Sequence, residues 1–239
     1  MQIVPVPAFA DNYLWLVHDE PSGETAVVDP GDAAPVLAAA AERGWTITQV
    51  WNTHWHPDHT GGNLAINEVT GARISGPASG NIPGRDVALR EGDEVRLGDH
   101  EGRVIEVPGH TLDHIALIFD EDRVAFVGDT LFAMGCGRLF EGTPEQMYRS
   151  LQRIAALPDA TRLYCAHEYT LSNALFSAHA EPGNAAIVER LERVKQLREQ
   201  GKNTLPTTVA EERETNPFVR ATNVDEFARL RRDKDSFRS

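Results

Sequence analysis

Six of the nine histidines in this 239-residue chain sit in three short segments, and imidazole is the commonest metal ligand among side chains. The first segment reads Thr53-His54-Trp55-His56-Pro57-Asp58-His59. In an extended chain, residues two apart point the same way, so His54 and His56 can converge on one cation. Pro57 favours an extended His56 and then redirects the chain, which leaves Asp58 and His59 to face a second cation. Thr60 is read as the N-cap of a following helix, and Gly61-Gly62 lets backbone pass close to the site. A chance cluster of surface polar residues is the competing reading, and the spacing His-x-His-x-Asp-His argues against it.

Pro108-Gly109-His110-Thr111-Leu112-Asp113-His114 follows a second β-rich run. His110 can complete a three-nitrogen set with His54 and His56, whereas His114 reads as a hydrogen-bonded or core histidine beside the site. Gly128-Asp129-Thr130 and Cys165-Ala166-His167-Glu168 also end β-rich runs. There Asp129 can bridge two cations and His167 can supply a remaining nitrogen. Alone, either would read as a turn carboxylate or a satisfied core histidine, but ligands of open α/β sheets gather at strand ends. Two divalent ions about 3.5–4 Å apart lower the pKa of bound water toward 7 and need no side-chain nucleophile. Nitrogen and oxygen donors without thiolate suit zinc first, and iron or manganese also. Cys136 and Cys165 read as packed thiols rather than catalysts.

The elements that must position these residues follow from punctuation and periodicity. Ile3–Val6, Tyr13–Val17, Thr25–Val28, Ile47–Asn52, Arg103–Val107, Ile115–Phe119, Val124–Gly128 and Arg162–Cys165 read as strands. Helices are expected over Ala33–Arg43, stopped by Gly44, over Thr60–Val69, and over Pro144–Leu157 with proline in the first turn. After Cys165 the pattern turns helical: Asn184–Gln200 carries Ile187, Leu191, Val194 and Leu197 at helical spacing, a polar loop follows, and Val224–Lys234 reads as a last helix. The ordering is that of an α/β protein with a helical appendage.

Hydrophobic residues at 41% and charged ones at 25% describe an ordinary globular chain. A net charge of -13 excludes a general nucleic-acid binder. No apolar run approaches the roughly 18 residues that cross a bilayer, and the start lacks a secretory signal. Two cysteines form no disulfide framework. Cytoplasm is therefore expected. Arg229, Arg231, Arg232, Lys234 and Arg238 form a basic cluster near the C-terminus, read either as a solvated helix face or as a contact for an anionic ligand.

The order His-x-His-x-Asp-His, Gly-His-Thr, Gly-Asp-Thr, His-Glu-Tyr-Thr resembles the metallo-β-lactamase superfamily and, within it, the glyoxalase II (hydroxyacylglutathione hydrolase) family. The likeness runs from Phe9-Ala10-Asp11-Asn12-Tyr13 to Arg231-Arg232-Asp233-Lys234-Asp235. Cys136-Gly137-Arg138-Leu139-Phe140-Glu141-Gly142-Thr143 and His167-Glu168-Tyr169-Thr170 narrow it to that family. The resemblance implies an αββα sandwich over residues 1–165 and a small all-helical, glutathione-binding domain over 166–239. It implies one metal held by His54, His56 and His110, a second by Asp58, His59 and His167, with Asp129 and a hydroxide between them. Asp29 would be a carboxylate behind the ligands; its spacing alone reads as a turn. Arg138, Tyr169, Arg231 and Lys234 would contact the glutathione of a thioester substrate, in a protein acting as a monomer. Many relatives carry Lys-Phe-Tyr where this chain has Arg138-Leu139-Phe140, so Phe140 lacks the tyrosine hydroxyl that the resemblance would set toward glutathione.

Four rival readings share part of this pattern. A persulfide dioxygenase of the same superfamily would hold a single iron. A nuclease of this fold would bring an inserted domain and a basic groove. A dinuclear β-lactamase would carry a signal peptide and a cysteine in place of Asp129. A non-catalytic module would not need a set of seven ligands.

Overall fold

Residues 1–238 are described by a computed structural model; Ser239, the end of the segment expected to be helical, lies outside them. By internal packing the chain divides into Met1–Glu106 with Leu112–Gly128, and Val107–Thr111 with Asp129–Ser239.

In the first unit, β1 (Gln2–Ala8), β2 (Asn12–His18), β3 (Thr25–Val28), β4 (Gln49–Trp51), β5 (Arg73–Pro77) and β6 (Val87–Leu89) form one sheet in that spatial order. Pro5 and Pro7 cannot donate to two neighbours, which confines β1 to the sheet edge. β1 to β3 are antiparallel and β3 to β6 parallel. Parallel neighbours need crossovers: α1 (Ala33–Ala41) joins β3 to β4, α2 (Pro57–Thr60) and α3 (Asn63–Thr70) join β4 to β5, and a loop without a helix joins β5 to β6. Leu14, Leu16, Val27 and Val50 of the sheet share a buried cluster with Val36 of α1 and Ile66 of α3.

The second sheet of this unit is an antiparallel meander of β7 (Glu94–Leu97), β8 (His100–Glu106), β9 (Ile115–Phe119) and β10 (Val124–Gly128). The two sheets meet through Trp51 and Phe119, whose ring centroids are 5.7 Å apart. Gly102 is required beneath that ring, since a Cβ there would lie 2.6 Å from Phe119 Cζ.

The second unit opens with the hairpin β11 (Leu131–Phe132) and β12 (Gly135–Cys136). α4 (Pro144–Ala155) starts on a capping box between Thr143 and Gln146. β13 (Arg162–Cys165) precedes α5 (Thr170–Ala180) and α6 (Ala185–Glu199) and pairs with β14 (Thr207–Thr208). α7 (Val209–Thr215), α8 (Pro217–Arg220) and α9 (Val224–Ser236) complete it. Met134 and Ala174 pack on Ile187 and Leu191 of α6, which bears out the helical spacing read there.

Three expectations change. The helix expected over Thr60–Val69 is two helices, broken at Gly61-Gly62, and Thr60 ends α2 rather than capping α3; its hydroxyl instead donates to His56 O. The polar stretch after Gln200 contains α7 and α8, started by the side-chain caps of Thr208 and Asn216. α5 was not foreseen, because Thr-Leu-Ser-Asn-Ala-Leu-Phe-Ser-Ala-His-Ala carries small and polar residues on both faces.

The second unit is tied by one buried carboxylate. Glu212 accepts from Arg190 Nη2 (2.7 Å), Thr207 Oγ1 (2.6 Å), Met134 N (2.8 Å) and Asn216 Nδ2 (2.8 Å). Removing one partner of such a pair strands the other charge at a cost of about 3–5 kcal/mol. Glu212→Ala should therefore lower the unfolding free energy by about that amount, read as a reduced urea midpoint, while Glu212→Gln should lose less.

Candidate metal centre

β3 and β4 run parallel with Val28 opposite Trp51, so their C-terminal ends deliver Asp29 and the 52–56 loop side by side. Asp29 has φ +53°, a left-handed conformation that aspartate tolerates better than most residues. Its carboxylate accepts the Thr53 N–H and the Thr53 hydroxyl, both at 2.7 Å. With the hydroxyl proton so committed, Thr53 Oγ1 accepts from His54 Nδ1 at 3.1 Å, which assigns the tautomer and leaves His54 Nε2 as a lone-pair donor. His59 Nδ1 lies 3.2 Å from the same Asp29 carboxylate.

His56 is extended (φ -55°, ψ 144°), as Pro57 demands, and its Nδ1 faces His54 Nε2 at 3.1 Å. Two residues on, Asp58 Oδ2 sits 3.4 Å from His59 Nε2 and accepts from Asn12 Nδ2 at 3.1 Å. Asp29, His54 and His59 are all buried and offer donor atoms within 4.8 Å of one another. The turn after β3 presses against this loop: a Cβ on Gly31 would lie 1.9 Å from Asp58 O, and one on Gly62 would lie 2.5 Å from Pro30 O. The expected close approach at Gly61-Gly62 is real. His114 is buried and stacks on His54 with centroids 4.6 Å apart and planes 16° apart, the supporting place read for it.

The second unit carries the remaining three residues. His110 Nδ1 donates to Arg138 O at 2.9 Å, which turns Nε2 toward Asp129 Oδ2 at 3.4 Å. His167 Nε2 lies 3.4 Å from that same oxygen. Gly137 allows the fold-back of this loop, since a Cβ there would lie 2.0 Å from Asp129 O.

Donors bound to one tetrahedral ion at 2.0–2.1 Å sit about 3.3 Å apart. The separations of 3.1 Å between His54 and His56, and of 3.4 Å at the Asp58–His59, His110–Asp129 and His167–Asp129 pairs, fit that spacing. Buried imidazoles with assigned tautomers beside carboxylates suit divalent cations. Burial pushes the Cys136 and Cys165 thiols up, away from the reactive thiolate, as their reading as packed residues requires.

The cations expected to meet glutathione form one cluster. Lys234 Nζ donates to Ser172 O and Oγ, both at 2.9 Å. Arg231 is buried, with its guanidinium carbon 5.0 Å from the Phe218 ring centre, and donates to Cys136 O (2.8 Å) and Asp235 Oδ1 (2.9 Å). Arg138 Nε is 3.9 Å from Asp235 Oδ1. Desolvation first, and then the Arg231 and Arg138 charges, push the Lys234 pKa down to about 8. Tyr169 is partly exposed, and Phe140 is exposed with its ring centroid 5.2 Å from that of His110. The roles of Thr53, Asn12 and Ser172 were not read from sequence; only Thr53, directly before His54 at a strand end, offered a signal.

Removing the Asp29 charge while keeping its shape tests the buried support. Asp29→Asn should weaken zinc binding about 10- to 100-fold, the usual effect of losing such a partner, as read by chelator competition on folded protein.

The model of the metallo-β-lactamase superfamily matches residues 11–81 and 72–167, and that of the hydroxyacylglutathione hydrolase C-terminus matches residues 168–237. The chain is 50% identical to a hydroxyacylglutathione hydrolase of Methylococcus capsulatus, covering 100% of this chain and 99% of that protein. A Pseudomonas aeruginosa protein of the same name is 53% identical over 92% of this chain and 86% of its own length. Among solved structures, ETHE1 from Myxococcus xanthus superposes with a TM-score of 0.77 at 29% identity, over 100% of this chain and 93% of that one. The architecture is the metallo-β-lactamase fold followed by a helical C-terminal part. Full-length identity near one half, with both family models matched in sequence, makes this chain a member of the hydroxyacylglutathione hydrolase family of the metallo-β-lactamase superfamily.

Proposed function

We propose that the chain hydrolyses S-(2-hydroxyacyl)glutathione thioesters, taking S-D-lactoylglutathione to D-lactate and glutathione, the second step of methylglyoxal detoxification. Under this reading His54, His56 and His110 hold one divalent ion, Asp58, His59 and His167 hold another, and Asp129 is shared. The observation that carries it is the set of nitrogen and carboxylate donors spaced 3.1–3.4 Å apart, in a chain about half identical to hydroxyacylglutathione hydrolases. Zinc is the proposed ion, and the donors also suit iron or manganese.

A bound pair of such ions supplies Lewis-acid polarisation of the thioester carbonyl and a water whose pKa falls toward about 7. The chain's own residues do the rest. Asp29, through Thr53, and the Arg138 carbonyl hold the His54 and His110 imidazoles with Nε2 as the cation-binding atom. Arg231 and Lys234 offer positive charge to the carboxylates of glutathione, with Tyr169 offering its hydroxyl and Arg138 at the rim. The leaving thiol has a pKa near 8.5, so no side chain need protonate it. Phe140 gives up a hydroxyl that many relatives place there.

The proposed division is a catalytic part over 1–165 and a glutathione-binding part over 166–239, supported by family models that meet between residues 167 and 168. No helix among the described residues is long and apolar enough to cross a membrane. Cytoplasmic residence is proposed on two buried cysteines that form no disulfide, and a monomer on family likeness.

Elemental analysis should find two divalent ions per chain, with thioester hydrolysis lost on chelation and restored by zinc. Asp58→Ala should release one ion and cut kcat by about 100-fold while the urea midpoint holds. One iron with oxygen uptake and no hydrolysis overturns the reading. Lys234 is charged below its pKa of about 8 and neutral above it, so attraction for an anionic substrate is lost as pH rises. KM should climb between pH 7 and 9, and Lys234→Gln should flatten that rise; a parent KM constant over this range removes Lys234 from the binding site.

A further inference from the structure

His167 sits in a pocket of rings within its own unit. Tyr169 lies flat against its imidazole, with centroids 4.7 Å apart and planes 5° apart. Phe132 meets the His167 ring edge-on at 5.8 Å and 87°, and meets Tyr169 edge-on at 5.1 Å and 81°. Offset-stacked and edge-to-face pairs are the arrangements that aromatic quadrupoles favour. Together they fix both the plane and the tilt of the imidazole.

The segment bearing these rings is itself held. Glu168 accepts from Thr204 N (3.0 Å) and Thr204 Oγ1 (2.6 Å), and Thr204 Oγ1 also bonds Thr170 Oγ1 at 2.6 Å. Tyr169 is thus flanked by two anchored neighbours. Ordinary core packing does not account for its place, because 37% of the residue is exposed while Phe132 and His167 are each 5% exposed. One face of Tyr169 serves the imidazole and part of the residue stays open to solvent.

We propose that Tyr169 and Phe132 are positioning residues for His167: an aromatic clamp that aims its Nε2 at the Asp129 carboxylate. Tyr169 thereby carries two duties, since the residue proposed to meet glutathione also orients a ligand of the second ion. This rests on the dinuclear reading above. Metal retention and substrate affinity are then joined through one side chain, and the ring supplies the first while the hydroxyl supplies the second.

The test uses the zinc-loaded protein and the variants Tyr169→Phe, Tyr169→Leu and Phe132→Leu. Zinc affinity at each site is read by chelator competition, beside KM and kcat for S-D-lactoylglutathione. Tyr169→Phe should hold both ions within about twofold of the parent while KM rises. Tyr169→Leu should weaken one ion by about tenfold or more, with kcat recovering in excess zinc. Phe132→Leu should weaken the same ion, giving an arm that leaves Tyr169 untouched. Parent-like affinity for both ions in Tyr169→Leu and Phe132→Leu overturns the clamp and spares the dinuclear reading. Equal loss of the ion in Tyr169→Phe and Tyr169→Leu overturns it too, by assigning the effect to the hydroxyl. A parent that binds fewer than two ions overturns the dinuclear reading and the clamp with it.

Discussion

The Asp29 carboxylate is the interaction on which the histidine-bearing loop of the first unit depends. It is buried at the junction of two parallel strands, where an ionised carboxylate is costly unless hydrogen bonds and positive charge compensate it. Two hydrogen bonds from Thr53, with His59 alongside, provide the compensation. In return the carboxylate dictates where the next seven residues go. Through the Thr53 hydroxyl it sets the His54 tautomer, and through the backbone N–H of Thr53 it fixes the start of the loop carrying His56, Asp58 and His59. Glycine at 31 and 62 then lets the turn after β3 close onto that loop without steric conflict.

A second constraint is electrostatic. Asp29 and Asp58 set negative charge beside imidazoles of the first unit, and Asp129 does so in the second, in a chain already at -13; divalent cations are the natural counter-charge for such groups. The same surplus would repel an anionic substrate. Arg138, Arg231 and Lys234 oppose it locally; burial first, and then repulsion from the two arginines, pushes the Lys234 pKa down. Asp235 relieves part of that strain by accepting from Arg231 and lying near Arg138. Within this cluster the two terminal nitrogens of Arg231 serve Cys136 O and Asp235.

Much of this was legible in the residues. The segment His54 to His59 announces its chemistry because period-two spacing and Pro57 leave few alternatives for where the imidazoles point. Strands such as Thr25–Val28, Ile115–Phe119 and Val124–Gly128 are bounded by turn residues and appear as read. α5 escaped because its burial is set by partners distant in sequence: Asn173 donates to Ala133 O and Ser177 to Met134 O. α7 and α8 hid in polar sequence because side-chain caps and the buried Glu212 network, rather than an apolar stripe, define them. The position of Asp29 in the hydrogen-bond scheme was beyond local pattern. An aspartate before Pro-Gly is first of all a turn residue, and only the parallel pairing of β3 with β4 brings Thr53 to it.

The aromatic residues around the imidazoles follow from the same logic. A histidine whose remote nitrogen is hydrogen-bonded still keeps freedom about its ring axis, and each unit limits that freedom by stacking. His114 covers His54 and Tyr169 covers His167. The two covers differ in exposure: His114 is sealed in the core, where it can only support, whereas Tyr169 reaches the surface. A chain that needed only rigid ligands would have buried both. The exposed one lies in the C-terminal family segment that separates this family from the wider superfamily.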